Sequence, residues 1–127
     1  MRFFILNILI FIGLNFPLPS FASHIELNQC VETAHCVREE LDVSRIAPSF
    51  EDIKKIIENI PRSKIIQYEN DYLHAEVTSR WMRYVDDLEL SLLPESNKLT
   101  IRSESRVGES DLGVNQKRVD LLKSKLY

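Results

Sequence analysis

Between residues 72 and 107 apolar and polar side chains alternate with a period of two, which commits most of this chain to strands. Residues 72–81 place Leu73, Ala75, Val77 and Trp81 on one side. Residues 85–93 place Leu88, Leu90 and Leu92 there, and residues 99–107 add Leu99, Ile101 and Val107. Successive strand residues point to opposite faces, so each run describes a strand with one buried face. A shorter run at 64–69, rich in Ile and Tyr, precedes them. Asn70-Asp71 and Pro94-Glu95-Ser96-Asn97 are breaks of hairpin length. Short links favour antiparallel neighbours, so the runs read as a four-stranded antiparallel meander.

A helix is expected on either side of the meander. Ser49, followed by Glu51 and Asp52, has the form of a capping box. Phe50, Ile53, Ile56, Ile57 and Ile60 follow at helical spacing until Pro61 stops the run. Near the end of the chain Asn115 reads as an N-cap, with Val114 and Val119 as a hydrophobic staple and Val119, Leu122 and Leu126 as the apolar stripe. Gly108 and Gly113 let the chain turn sharply into that helix. The fold class is therefore α+β, in the order α-β-β-β-β-α, with both helices packed on one face of the sheet. It occupies residues 49–127 as a single domain, and residues 23–48 read as an extended, cysteine-containing arm.

The first 22 residues are of another kind. Met1-Arg2 gives a positive start, residues 3–14 are apolar apart from Asn7 and Gly13, and Ser20-Phe21-Ala22 offers small residues at the exit. That pattern is a secretory signal peptide cleaved before Ser23, and its apolar run is too short to span a bilayer. Cleavage removes Arg2 and no acid, so a chain of net charge −3 stays acidic. Without a basic excess no nucleic-acid partner is expected, and no stable membrane insertion is expected after cleavage. Cys30 and Cys36 both lie in the exported part, where a disulfide is permitted, and five intervening residues let them meet. Free or redox-active thiols are the alternative, as is a metal site with His24 and His35, although adjacent His35-Cys36 does not match the usual ligand spacings.

An antiparallel sheet can leave its second face wet. Alternation places His74, Glu76, Thr78 and Arg80 there, with Asp87, Glu89 and Ser91 from the next strand and Thr100, Arg102, Glu104 and Arg106 from the last. The face is either a solvated set of cross-strand ion pairs or a binding surface whose arginines act as forks for carboxylate or phosphate. Asp86 points the other way, toward the helices, and needs an arginine or a helix N-terminus as partner. Free amides at the start of the last helix, with Lys117 or Arg118, offer a second place for an anion. No phosphate-binding loop, dinucleotide fingerprint, nucleophile elbow or metal-protease motif occurs, so no metal and no cofactor is expected.

The stretches DYLHAEVTSRWMRYVDDLEL (71–90) and IRSESRVGESDLGVNQKRVDLL (101–122) resemble the domain-of-unknown-function family numbered 1499. The resemblance runs through Tyr72, Leu73, Ala75, Glu76, Ser79, Arg80, Tyr84, Val85, Asp86, Asp87 and Glu89, then through Arg102, Ser103, residues 105–108, residues 110–115, Arg118 and Val119. Cys30, Cys36 and Val37 reproduce the family's cysteine spacing, although VETAH and Arg38 depart from its usual residues. The resemblance implies a single-domain protein outside the cytoplasm, in a periplasm or thylakoid lumen, and brings no reaction, substrate or cofactor. It makes Arg80, Asp86, Asp87, Arg102, Arg106 and Asp111 the residues of a shared site or shared structural network.

The leading expectation is a non-catalytic exported domain that binds a partner protein or a small polar or anionic ligand. Its candidate ligand residues are His74, Glu76, Arg80, Asp87, Arg102 and Arg106; Asp86, Gly108, Asp111, Gly113 and Asn115 form the candidate structural network. The alternative is a hydrolase or transferase using Asp87 with Arg80 or Arg102. A third reading is a thiol-redox accessory protein acting through Cys30 and Cys36, although their spacing is not C-x-x-C.

Overall fold

The structure is a computed structural model, and it describes residues 24–127 together with 13, 16 and 17. The segment read as a signal peptide otherwise lies outside the described residues. Five strands and two helices follow in the order β1 (Cys36–Asp42), α1 (Phe50–Glu58), β2 (Ser63–Glu69), β3 (Tyr72–Thr78), β4 (Val85–Leu93), β5 (Lys98–Ser105) and α2 (Val114–Leu126). The sheet order is β1-β5-β4-β3-β2, with every neighbouring pair antiparallel. The meander from β2 to β5 stands as expected. The fifth strand, β1, is a correction to the four-stranded reading, because residues 36–42 of the supposed arm pair with β5.

Glu39 hid β1 from the alternation pattern. On β1 the helix-facing positions are Val37, Glu39 and Leu41, opposite Ser103, Ile101 and Leu99 of β5. The acid interrupts an otherwise apolar row, and α2 supplies its partners: Lys123 Nζ and Gln116 Nε2 donate to the Glu39 carboxylate at 2.9 and 3.0 Å. These hydrogen bonds, Gln116's first, hold the Glu39 carboxyl below its ordinary pKa.

The helices cover one face. Ser49 caps α1 by accepting from the Asp52 amide at 3.1 Å, and Phe50, Ile53 and Ile57 are buried against the sheet. From α2 come Val119 and Leu122, and from the sheet Leu73, Ala75, Val77, Leu88, Leu90, Leu92, Leu99 and Ile101. Burying a side chain of this size contributes about 1.5–3 kcal/mol, so this single cluster is the main favourable term in folding. Asn70 and Asn97, both in the left-handed region, close the two hairpins.

Alternation failed at the strand ends. β3 stops at Thr78 and β5 at Ser105, so Trp81 and Val107 lie beyond the sheet and are exposed rather than in the core. Arg80 likewise does not share the charged face; its guanidinium lies 5.0 Å over the Trp81 ring.

The second face is not wholly wet. The segment from residue 24 to Cys30 lies along it, where Leu27 is buried, the Ile25 carbonyl accepts from Ser91 Oγ, and Ser91 and Thr100 are buried. A Cys30–Cys36 disulfide ties the end of this strap to the start of β1. Among the described residues no cysteine is free, no cluster has the makings of a metal site, and no helix is long and apolar enough to cross a membrane.

Candidate functional site

The charged face resolves into two closed groups. Register places His74 opposite Glu89, and Glu76 opposite Asp87. Arg106 reaches across from the end of β5 and donates from Nε and Nη2 to the two oxygens of Asp87, both at 2.8 Å. Its Nη2 also lies 3.5 Å from Glu76, and His74 Nε2 lies 2.8 Å from Asp87 Oδ1. The Arg106 hydrogen bonds hold the Asp87 carboxyl below its ordinary pKa against the opposing effect of burial. In the second group Arg102, itself buried, meets Glu89 at 3.3 Å and Glu104 at 3.2 Å. Tyr72 donates to Glu89 at 2.7 Å, and its own burial pushes the phenol pKa up. The predicted forks Arg102 and Arg106 are thus occupied by the chain's own carboxylates.

Beneath the other face lies a buried polar knot. Asp86 sits among the apolar residues of β4, and Arg118 of α2 donates to it at 2.8 Å. The expected partner is therefore the arginine, which leaves Arg118 committed rather than free for an anion at the helix start. Its Nη1 also donates to Ser103 Oγ at 2.9 Å and to Asn115 Oδ1 at 2.8 Å.

Asn115 is not the N-cap. Gly113 holds that position, in the left-handed region and with no side-chain hydrogen bond, while Asn115 is fully buried inside the first turn. Its amide donates to Asp111 Oδ2, Ser105 Oγ and the His35 carbonyl. Asp111 does the capping, accepting from the amides of Gly113 at 2.8 Å and Asn115 at 3.2 Å. Burial opposes ionisation of Asp111, but these hydrogen bonds, the Asn115 side chain's first, outweigh it and keep the carboxyl below its ordinary pKa. With the cap at Gly113, Val114 and Val119 no longer hold the flanking positions of a staple, and Val114 is exposed.

The knot ties the β5–α2 loop, through Asp111, to the end of the sheet where Thr78 pairs with Val85 and Asp86 with Ser105. The β3–β4 loop is pinned by Ser79, whose amide donates to the Tyr84 carbonyl at 2.8 Å and whose Oγ accepts from the Tyr84 amide at 2.9 Å. The β5–α2 loop passes through Gly108 and Gly113, both at positive φ. Between the loops opens a cleft of about 500 Å³. Trp81, Met82, Tyr84, Val107, Leu112 and Val114 line it, every one of them exposed, while Asp86, Ser105 and Asp111 lie at its base.

Residues 26–126 match the family described as Protein of unknown function (DUF1499). The chain belongs to that family. No curated protein and no solved structure matches it.

In this DUF1499 domain, Asp87, Arg106, His74 and Glu76 come together, Arg102 joins a separate group, and Arg80 joins neither. Asp86, Asp111 and Asn115 converge as a network, with Gly108 and Gly113 in the loop beside them. Alternation does not reveal the apolar cleft, because it places Trp81 and Val107 on the buried side of the strands. A signal for it was present: Trp81-Met82 and Leu112 stand in segments of loop length, where apolar side chains have no core to enter.

Proposed function

We propose that this DUF1499 protein is an exported, non-catalytic binding domain that engages an apolar or amphipathic partner at the loop end of its sheet. The observation carrying this reading is the convergence of six exposed apolar side chains on two loops, one braced by a buried network and the other by the Ser79–Tyr84 hydrogen bonds. Contiguous exposed apolar surface on a small domain marks an interaction site. The cleft's size suits a small apolar molecule or the apolar part of a larger one. The disulfide, together with the signal-peptide pattern, supports a compartment outside the cytoplasm, a periplasm or a thylakoid lumen. Binding of an anion on the charged face has less support, because Arg102 and Arg106 would have to exchange existing ion pairs for the ligand.

Trp81 is the chain's only tryptophan and lines the cleft, so its fluorescence reports on this site alone. Titration with the uncharged probe N-phenylnaphthylamine should raise the dye's emission and quench Trp81 by energy transfer. Val107→Asp should weaken the dye at least tenfold with an unchanged melting temperature. A dye that leaves Trp81 unquenched, on a protein whose Trp81 emission no apolar surface shifts either, refutes the reading.

The 2.8 Å His74–Asp87 contact favours a second reading, acid–base chemistry at this partly buried pair on the charged face. Arg106 counts against it, since two hydrogen bonds to Asp87 stabilise the carboxylate and weaken it as a base. Turnover lost in Asp87→Asn at an unchanged melting temperature would favour this second reading.

A further inference from the structure

We infer that the loop end is a peripheral membrane-docking tip that enters the interface of an anionic lipid surface. This rests on the proposed binding role of the same loops and names what they bind. Trp81 is 83% exposed and Leu112 87%, and Met82 stands nearly as free. Side chains that project this far stand clear of the cleft they line, so an extended apolar layer can cover them as well as a small molecule can enter between them. Trp and Tyr are the residues that settle at the headgroup level of a bilayer, with apolar bodies inward and polar edges in the wet layer. Here Trp81 and Tyr84 share one loop with Met82, and Leu112 faces them from the other loop.

The β3–β4 loop carries the charge that favours a bilayer over another protein as the occupant. Residues 79–85 contain exposed Arg80 and Arg83 and no acid; in the facing loop Arg106 is paired with Asp87, Asp111 is bonded to the amides of Gly113 and Asn115, and Glu109 is exposed. An anionic surface therefore attracts the β3–β4 loop, which leads the tip onto the lipid with Trp81 and Met82 foremost, while Glu109 and Asp111 favour the facing loop staying further out. Arg80 lies over the Trp81 ring, so the guanidinium reaches the phosphate layer as the indole enters beneath it. Asp86–Arg118 and the Ser79–Tyr84 hydrogen bonds hold both loops in place before docking, so little ordering is required on contact. Six side chains give a reversible interfacial contact, not a spanning one.

The test uses the disulfide-bonded protein recovered from the exported fraction of its host. Vesicles of phosphatidylcholine alone, and of phosphatidylcholine mixed with phosphatidylglycerol, are titrated while Trp81 emission and flotation are followed. Emission should shift to shorter wavelength on the anionic vesicles, and added salt should reverse much of the effect. Arg83→Gln should lower partitioning roughly fivefold and Arg80→Gln with Arg83→Gln roughly 30-fold, at an unchanged melting temperature. Lys55→Gln removes the same charge from the exposed side of α1 and should leave partitioning unchanged. Equal binding to neutral and anionic vesicles, or an equal loss in Lys55→Gln, overturns the proposal. So does a Trp81 signal that vesicles leave unmoved, whether the tip is bare or already covered by a second protein chain. If the uncharged dye still quenches Trp81 in that case, the cleft binds small apolar molecules and only the membrane inference falls. If neither acts, the loop-end reading falls with it.

Discussion

Arg118→Met tests the reasoning at the point where fold and candidate site meet. The side chains of Arg118 and Asp86 are only 10% and 8% exposed, and their 2.8 Å contact is Asp86's link to a positive charge. Methionine keeps much of the volume but leaves a carboxylate in the core with no counter-charge, an error that typically costs about 3–5 kcal/mol. Asn115 Oδ1 and Ser103 Oγ each lose a donor as well, although they still bond to one another at 2.7 Å. Domains of this size have total stabilities of about 5–15 kcal/mol, so about a fifth or more is at stake. At roughly 4–6 °C per kcal/mol, the melting temperature should fall by about 12–30 °C. Thermal unfolding followed by circular dichroism measures this directly. The double variant Asp86→Leu with Arg118→Met removes both charges and should recover most of the loss, because well-packed apolar replacements of buried ion pairs are often neutral or better. If Arg118→Met melts within about 3 °C of the parent, Asp86 is not a buried charge in need of a partner. If the double variant merely adds the two single losses, the pair is not coupled. Either result would refute the account of the knot.

Three further outcomes follow from the same geometry. Replacing Cys30 and Cys36 with serine opens a very short loop and should cost about 2–2.5 kcal/mol, seen as a lower urea midpoint under non-reducing conditions. Asp87 has a lowered pKa in the folded state, so its contribution is fully present above the unfolded value of about 3.9 and is lost as pH falls through the folded value. Asp87→Asn should therefore be less stable than the parent at neutral pH, with a difference that closes below about pH 4 in pH-resolved urea unfolding. Ser49→Ala removes the oxygen that accepts from the Asp52 amide and should cost about 1 kcal/mol by thermal melting.

Period-two alternation carried most of the fold, because the central strands obey the rule it rests on. Leu73, Ala75 and Val77 face the helices on β3, and Asp86 shares the apolar side of β4, as its place in the alternation requires. The rule failed where tertiary partners change the meaning of a residue. Glu39 sits in an apolar row only because Lys123 and Gln116 meet it from α2, more than 75 residues along the chain. Asn115 has the composition of a cap, but its side chain is drawn into the knot and the cap passes to Asp111. Alternation also carries no marker for where a strand stops, so it ran on to Trp81 and Val107 and drew into the core two residues that belong to the cleft. The charged face was legible as a set of positions but not as a set of pairs. Register alone could not say that Arg106 would cross from beyond β5 to close on Asp87.

The same pairings decide where the molecule has binding capacity left. One face of the sheet is sealed by α1 and α2, and the other is crossed by the strap that ends in the disulfide. A ligand approaching the charged face must displace ion pairs that already neutralise Arg102 and Arg106, and little net gain remains from such an exchange. At the loop end the balance is reversed, because Trp81, Met82 and Leu112 are already in water and lose unfavourable hydration when covered. The buried polar residues then acquire a role without touching a ligand: Asp86, Arg118, Asn115 and Asp111 fix the start of α2 and the β5–α2 loop, one wall of the cleft, against the end of the sheet. Their loss and the loss of the exposed residues should differ in kind. A knot variant should fail in stability and binding together, whereas a tip variant should fail in binding alone.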